Sequence, residues 1–568
     1  MTVTAPGPAM RKPVLVISLV LIGVAWLGCQ MLFGGLTIDD AFITWRYADN
    51  LVHHGIWNYN PSDIDLVEAY TNPSFAFLAI LPAALGIPIE AFFKFFMAAL
   101  GIVFVIWLWR RQVPMWQRLV LLAVAVANPI MHIHWWSGLE TGLWIMIMTI
   151  LFHVVHRTGG LGWWGHAGLL LLALTRPEGL GYLVVLIAWS LLLRRSWIRI
   201  VQAVATLAVL GVYWTARTLY FGRLLPNTFY AKTAGHAERS GLISGGLLFL
   251  GVVVLAPLLV LLISPATRER LDLRNRIGRL TKVYTEPGVP AVERARWTPV
   301  LMAVLAAGIQ FVVYANSSLQ MDYANRFAFQ LVAPLLLVVL CSPIRGRTVA
   351  PAAVALVIAG TVVAVLQAGR MGDVPTVMAI GGVLLAVAGW TARRALASAL
   401  AVVVLVTSVS LISAPDLLWM SIYRSSIQKS HAEVGMILAR YHEPGATVVV
   451  HDAGVVPYEA SGWEVIDVFG LATRRITDQQ MSVDDLAEID PEIVIADRFL
   501  GKRFLAKYGD RYDEPIPGST IRLRKDADPE LKRELTELFE ERSRESTGRV
   551  QWLVTHTPSL EWLLGGTH

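Results

Sequence analysis

Apolar residues in this chain come in long unbroken runs, not in the mixed spacing of a water-soluble core. Thirteen such runs read as membrane-spanning helices, at about 14–33, 89–109, 118–134, 140–156, 162–175, 178–193, 197–219, 242–264, 298–315, 328–342, 349–367, 374–390 and 396–413. The first follows Arg11 and Lys12, is long and lacks a small-residue cleavage site, so it is expected to be retained as a helix. Residues 74–87, between Pro73 and Pro88, are too short to span and read as a re-entrant or interfacial helix. After residue 413 the pattern changes. Short β-branched runs at Ala446 to Val450, Glu464 to Val468, Glu492 to Ala496 and Thr520 to Leu523 alternate with helical and Gly/Pro-containing pieces. The fold class expected is therefore mainly α, a polytopic transmembrane bundle over 1–413, with a soluble α/β domain over 414–568. The stretch from Asp526 to Thr547 reads as a charged, solvated helix.

The 568 residues are 55% hydrophobic, with a mean hydropathy of +0.55, which only a bilayer accommodates as solvent. A formal charge of +6 raises nucleic acid as a partner, but the cations cluster at the ends of apolar runs, and nucleic-acid binding is rejected. Arg110 and Arg111, Arg157, Arg194 and Arg195, Arg345 and Arg347, Arg393 and Arg394, and the basic loop 265–297 all fall on the cytoplasmic side of a single alternation. That alternation leaves the first loop, 34–88, and residues 414–568 outside. The only cysteines, Cys29 and Cys341, lie in apolar runs and build neither a disulfide framework nor a metal site.

Most polar motifs fall on that outer side. Asp39 and Asp40 directly follow the first helix; two carboxylates there can act as general base for an acceptor hydroxyl, or as ligands for Mg²⁺ or Mn²⁺ holding a phosphate. Thr37-x-x-Asp40 also has the form of a capping box. Glu68 and Tyr70 lie in the same loop. Thr175-Arg176-Pro177-Glu178 forms the tip between two short spans, again with capping-box form, and leaves the Arg176 guanidinium to meet an anion. Ser137-x-x-Glu140 reads as a cap. Arg217, Arg223 and Lys232, around Pro226-Asn227-Thr228, are cations placed against the positive-inside trend, and so call for an anionic partner such as a lipid phosphate, or for headgroup anchoring. Asp322 and Arg326 form a local ion pair or one wall of a sugar site.

Asp39-Asp40, Val67-Glu68-Ala69-Tyr70-Thr71, Arg176-Pro177-Glu178-Gly179, Pro226-Asn227-Thr228 to Lys232, Asp322 with Arg326, Asp452-Ala453-Gly454 to Tyr458, and Ile466-Asp467-Val468-Phe469-Gly470-Leu471 together resemble the GT-C membrane glycosyltransferases. Within them the chain is most similar to the terminal β-(1→2)-arabinofuranosyltransferase family of actinobacterial cell walls. The resemblance implies a polyprenyl-phosphate arabinofuranose donor, an arabinan acceptor of arabinogalactan or lipoarabinomannan, and catalysis on the periplasmic face of the plasma membrane. On this chain it implies Asp39 and Asp40 as catalytic, Arg176, Arg217, Lys232 and Arg326 at the donor phosphate, and Glu68, Tyr70, Glu178, Asn227 and Asp322 at the sugars. A transporter of lipid-linked glycans is the rival class, and it calls for mid-membrane charges and related halves, which the sequence does not display.

Overall fold

The computed structural model describes residues 12–62, 65–158, 160–193, 196–233, 306, 308–309, 326–330, 332–341, 420, 423, 428–443, 445–495, 499–514 and 521–541. The spans expected at 242–264, 349–367, 374–390 and 396–413, and most of 298–315, lie outside these residues. The boundary expected at 413/414 lies outside them too.

The N-terminal helices follow in order: α1 (Lys12–Phe33), α2 (Asp39–His54), α3 (Pro73–Ala84), α4 (Ile89–Trp109), α5 (Met115–Leu122), α6 (Pro129–Trp136), α7 (Thr141–Thr158), α8 (Trp163–Thr175), α9 (Glu178–Leu193), α10 (Trp197–Phe221) and α11 (Asn227–Thr233). After them come α12 (Arg326–Phe329) and α13 (Val332–Cys341). Among the described residues four helices are long and apolar enough to cross a membrane: Leu15–Phe33 within α1, α4, α7 and α10. The chain is a membrane protein on this evidence. At 12 residues α3 reaches about 18 Å, too short to cross, as its flanking prolines suggested.

The run at 118–134 departs from expectation. It is a pair of helices bent by 52°, joined through a π-helical turn at Ala123–Ala127. Pro129 has no N–H to donate and disfavours helical geometry at Asn128, which turns extended and caps α6 by accepting from the Ile130 and Met131 N–H groups. The α8–α9 hairpin is also short: helices of 13 and 16 residues reach about 20 and 24 Å, less than a ~30 Å hydrocarbon layer. Its tip carries Arg176, the C-cap of α8. Gly179 makes the tight turn packable, because any side chain there would collide with the Leu172 carbonyl on α8.

The C-terminal part contains α14 (Lys429–Arg440), β1 (Thr447–Val450), α15 (Val455–Glu459), β2 (Glu464–Asp467), α16 (Arg474–Thr477), α17 (Val483–Ile489), β3 (Ile493–Ile495), α18 (Phe499–Tyr508), β4 (Tyr512–Asp513) and β5 (Ile521–Arg524). The sheet order is β2-β1-β3-β5-β4, with β2, β1 and β3 parallel and β5 antiparallel to both neighbours. The central strands are buried on both faces, which explains their continuous valine and isoleucine runs. One face is covered by Leu486, Leu500 and Phe504 from α17 and α18. The other shares a core with the first loop, where Tyr47, Tyr59, Val67 and Tyr70 join Val448, Val450 and Trp463. The helix 529–541 is not fully solvated as its charges suggested, since Leu531 and Leu535 bury an i, i+4 stripe in that core.

Backbone carbonyls and amides hold the first loop to the sheet. Arg46, 1% exposed, donates to the carbonyls of Tyr59 (2.7 Å), Trp463 (2.8 Å) and Pro457. Tyr59 donates to the Ala453 carbonyl at 2.6 Å, and Asn60 exchanges two hydrogen bonds with the main chain of Val465 on the edge strand β2. Gly454 meets Asp39 so closely that a methyl group there would collide with the Asp39 carboxyl and main-chain oxygen. Gly454→Ala is therefore expected to cost more than about 2 kcal/mol of stability and to open residues 446–477 to protease. Thermal unfolding and limited proteolysis of the purified protein measure this. A variant as stable and as resistant as wild type would mean that the junction has slack the geometry denies.

Candidate active site

The two adjacent carboxylates face different environments. α2 begins at Asp39 with Ile38 as its N-cap and no side-chain cap, so the capping-box expectation is corrected: the Thr37 hydroxyl donates instead to Glu90. Asp39 is 4% exposed and accepts from the Val455 N–H at 2.8 Å. Burial, then the nearby Asp452 carboxylate, push its carboxyl up to about 8 against the pull of the Val455 and Gly454 amides. A group held protonated near neutral pH cannot receive another proton. Asp40, one residue on, keeps 19% of its side chain exposed and pairs with Arg326 at 2.8 Å.

Arg326 opens α12, and Phe327 beside it presents a ring to three cations. The Arg326 guanidinium carbon lies 4.6 Å from the ring centre, that of Arg176 5.5 Å and the Lys232 ammonium 6.0 Å. Asp322 lies outside the described residues. Arg176 is not left open for an anion by a capping arrangement, as its motif suggested: it reaches Glu140 at 2.5 Å and Glu178 at 3.0 Å. Glu178 also accepts from Gln330 at 3.1 Å, and Glu140 from Asn72 at 2.7 Å. The Thr175 hydroxyl donates back to Leu171, and Ser137 accepts from the Leu139 N–H while Glu140 turns to Arg176. Neither motif is a capping box. Sequence reasoning thus missed Glu140 as an ion-pair partner, and it missed Phe327 and Gln330 altogether; only the proximity of the latter two to Arg326 offered a signal.

Arg217 finds its anion within the protein. It pairs with Glu68 and donates to the Leu224 carbonyl at 2.6 Å, where a lipid phosphate was expected. Tyr70 accepts from Trp57 at 3.0 Å and stacks edge-on with Tyr47. Asn227, 1% exposed, donates to the carbonyls of Gly470 (2.7 Å) and Leu471 (3.0 Å) and to Thr477, while its N–H reaches the Glu68 carbonyl at 2.8 Å. That loop is rigid because the buried Asp467 carboxylate accepts from the Phe469 and Ala472 amides. Asn227 thereby fixes the start of α11, and α11 carries Lys232. Lys232 is half-buried and makes no hydrogen bond or ion pair among the described residues. Burial and the Arg326 guanidinium draw its ammonium down to about 8.

A divalent cation does not fit the carboxylate pair. Asp39 is committed to backbone amides and Asp40 to Arg326, and among the described residues no three His, Cys, Asp or Glu side chains gather to hold a metal.

The chain shares its overall fold with two solved structures of one protein. It is similar to the crystal structure of ArnT from Cupriavidus metallidurans bound to undecaprenyl phosphate, with a TM-score of 0.52 at 14% identity, covering 88% of this chain and 95% of that one. It is likewise similar to the apo state of the same protein, with a TM-score of 0.51 at 15% identity and the same coverage. A family model described as a domain of unknown function, DUF8728, matches residues 420–558. No curated protein matches the chain.

The Arg176 cluster makes a direct stability prediction. Removing one member of a buried ion pair strands the other, at ~3–5 kcal/mol. Glu140→Ala should therefore lower stability by about 3 kcal/mol, and Glu140→Gln by less, since its amide oxygen still accepts from Arg176 although its NH2 replaces the oxygen that accepted from Asn72. Thermal unfolding in lipid nanodiscs reads the difference, and an E140A protein as stable as wild type would show that the pair contributes nothing.

Proposed function

We propose that this protein is a plasma-membrane glycosyltransferase that takes a sugar from a polyprenyl-phosphate donor on the periplasmic face. The observation that carries the reading is the convergence of Lys232, Arg326 and Arg176 on Phe327, beside the Asp40 carboxylate, which pairs with Arg326 and keeps 19% of its side chain exposed. The ArnT-like fold, seen there with undecaprenyl phosphate bound, supports a lipid-linked donor. The first loop, the start of α11 and residues 453–478 pack against one another, so they occupy one side of the membrane.

In this reading the acceptor hydroxyl attacks the anomeric carbon and its proton passes to Asp40. The anomeric carbon–oxygen bond breaks, and its electron pair leaves with the polyprenyl phosphate. Lys232 and Arg326 stabilise the charge left on that phosphate. Asp39 is the clamp for Gly454 and Val455 rather than the base. Arg176 and Glu178 shape the floor, Arg217 holds Glu68, and Tyr70 and Asn227 support the same wall.

Arabinofuranose as the sugar, and an arabinan of arabinogalactan or lipoarabinomannan as the acceptor, rest on the sequence resemblance. Purified enzyme given polyprenyl-phosphate arabinofuranose and an oligoarabinoside should yield a product one pentose heavier. A product only from another donor, such as polyprenyl-phosphate mannose, would keep the reaction class and replace the sugar.

Two predictions separate the roles. Asp40→Asn should lower kcat by ~10² to 10⁴, the usual contribution of a positioned base, while Asp39→Asn should keep most turnover because an amide oxygen still accepts from Val455. An active D40N enzyme would remove Asp40 from the chemistry. The second prediction concerns pH. A phosphate binds the protonated Lys232 and raises its pKa, so donor affinity should be full below about pH 8 and fall as pH rises through it. Lys232→Arg, which does not titrate in this range, should bind donor with no such fall. Identical profiles for the two proteins would take Lys232 out of the donor site.

A further inference from the structure

We infer that the Thr228 hydroxyl and the Lys232 ammonium form a two-point receptor for the phosphate of the polyprenyl-phosphate donor, on one face of α11. The inference rests on the donor reading above and adds a ligand that the motif pattern did not single out.

Thr228 is 6% exposed, and its Oγ1 is buried without a hydrogen-bond partner among the described residues. Buried hydroxyls nearly always have one. A helical threonine commonly satisfies its hydroxyl at the carbonyl four residues back. For Thr228 that carbonyl belongs to Leu224, which precedes α11 and already accepts from Arg217 at 2.6 Å. The hydroxyl is therefore left with its donor capacity unspent.

Residues four apart lie on the same face of a helix, so Thr228 stands one turn from Lys232 along α11. Lys232 is the member of the cation cluster that makes no ion pair among the described residues. A tetrahedral phosphate offers several acceptor oxygens, which a neutral hydroxyl and a charged ammonium can share. Asn227 ties the first residue of α11 to the loop after β2 and to Glu68, so the two donors are presented by a fixed helix. The site is thus an anion receptor whose two arms come from one short helix.

The test is binding of polyprenyl monophosphate to the full-length protein in nanodiscs, with thermal unfolding measured beside it. Thr228→Val keeps shape and removes the hydroxyl; it should weaken binding about 10-fold, the scale of one hydrogen bond to a charged group. Its Tm should stay equal or rise, since an unsatisfied hydroxyl is lost. Thr228→Ser should bind nearly as wild type. Combined with Lys232→Met, the valine variant should lose less than the product of the two single losses, because both arms hold one phosphate. Wild-type binding by T228V alongside weakened K232M overturns the inference and leaves the donor reading in place. Wild-type binding by both overturns the two together. Weaker binding by T228V with a lowered Tm assigns the hydroxyl to the fold, and this too overturns the inference.

Discussion

A buried guanidinium costs several kcal/mol unless anions and hydrogen-bond acceptors surround it, and Arg176, 5% exposed, stands at the turn between α8 and α9. Glu140 at the start of α7 and Glu178 at the start of α9 answer that requirement, and Asn72 extends the network to the foot of α3. Three helix ends are thereby held to one arrangement. Arg217 and Glu68 repeat the device between α10 and the first loop. The protein meets these charges from within, and among the described residues Lys232 is the member of the cation cluster that makes no ion pair.

The α/β unit serves this frame through the loops that leave its parallel strands. The carboxyl end of β1 brings Gly454 and Val455 onto Asp39, and that of β2 brings Gly470 and Leu471 onto Asn227. Ligand sites of open α/β sheets also lie outside the carboxyl ends of the strands. Here the neighbour on that side is the membrane bundle, with main-chain amides and carbonyls as the contacts. Such contacts bury polar groups with partners and leave the charged residues to the cation cluster.

Asp40, Arg176, Lys232 and Arg326, which the structure brings together, stood out in the sequence because cations and carboxylates at one end of apolar runs are costly, and cost marks them out. Their partners were less legible. Glu140 looked like the third position of a capping box, and so did Glu178 and Asp40, because S/T-x-x-D/E is a local pattern that says nothing of what stands opposite. Glu140 instead pairs with a residue 36 positions away, Glu68 with one 149 away, and Asp40 with one 286 away. Phe327 carried no signal beyond its place next to Arg326, since an aromatic beside an arginine in an apolar segment is ordinary core.

By itself the sequence determined the membrane as solvent, the helical runs described at α1, α4, α7 and α10, and the strands β1, β2, β3 and β5. These follow from local rules, hydrophobic length and β-branching, which act within a few residues. Tertiary structure alone decided which carboxylate of the Asp39–Asp40 pair keeps an exposed edge, which cation of the cluster makes no ion pair among the described residues, and that the first loop and the sheet share one core. Two adjacent aspartates are equivalent in a sequence, and they differ once one is buried against backbone amides and the other faces a guanidinium.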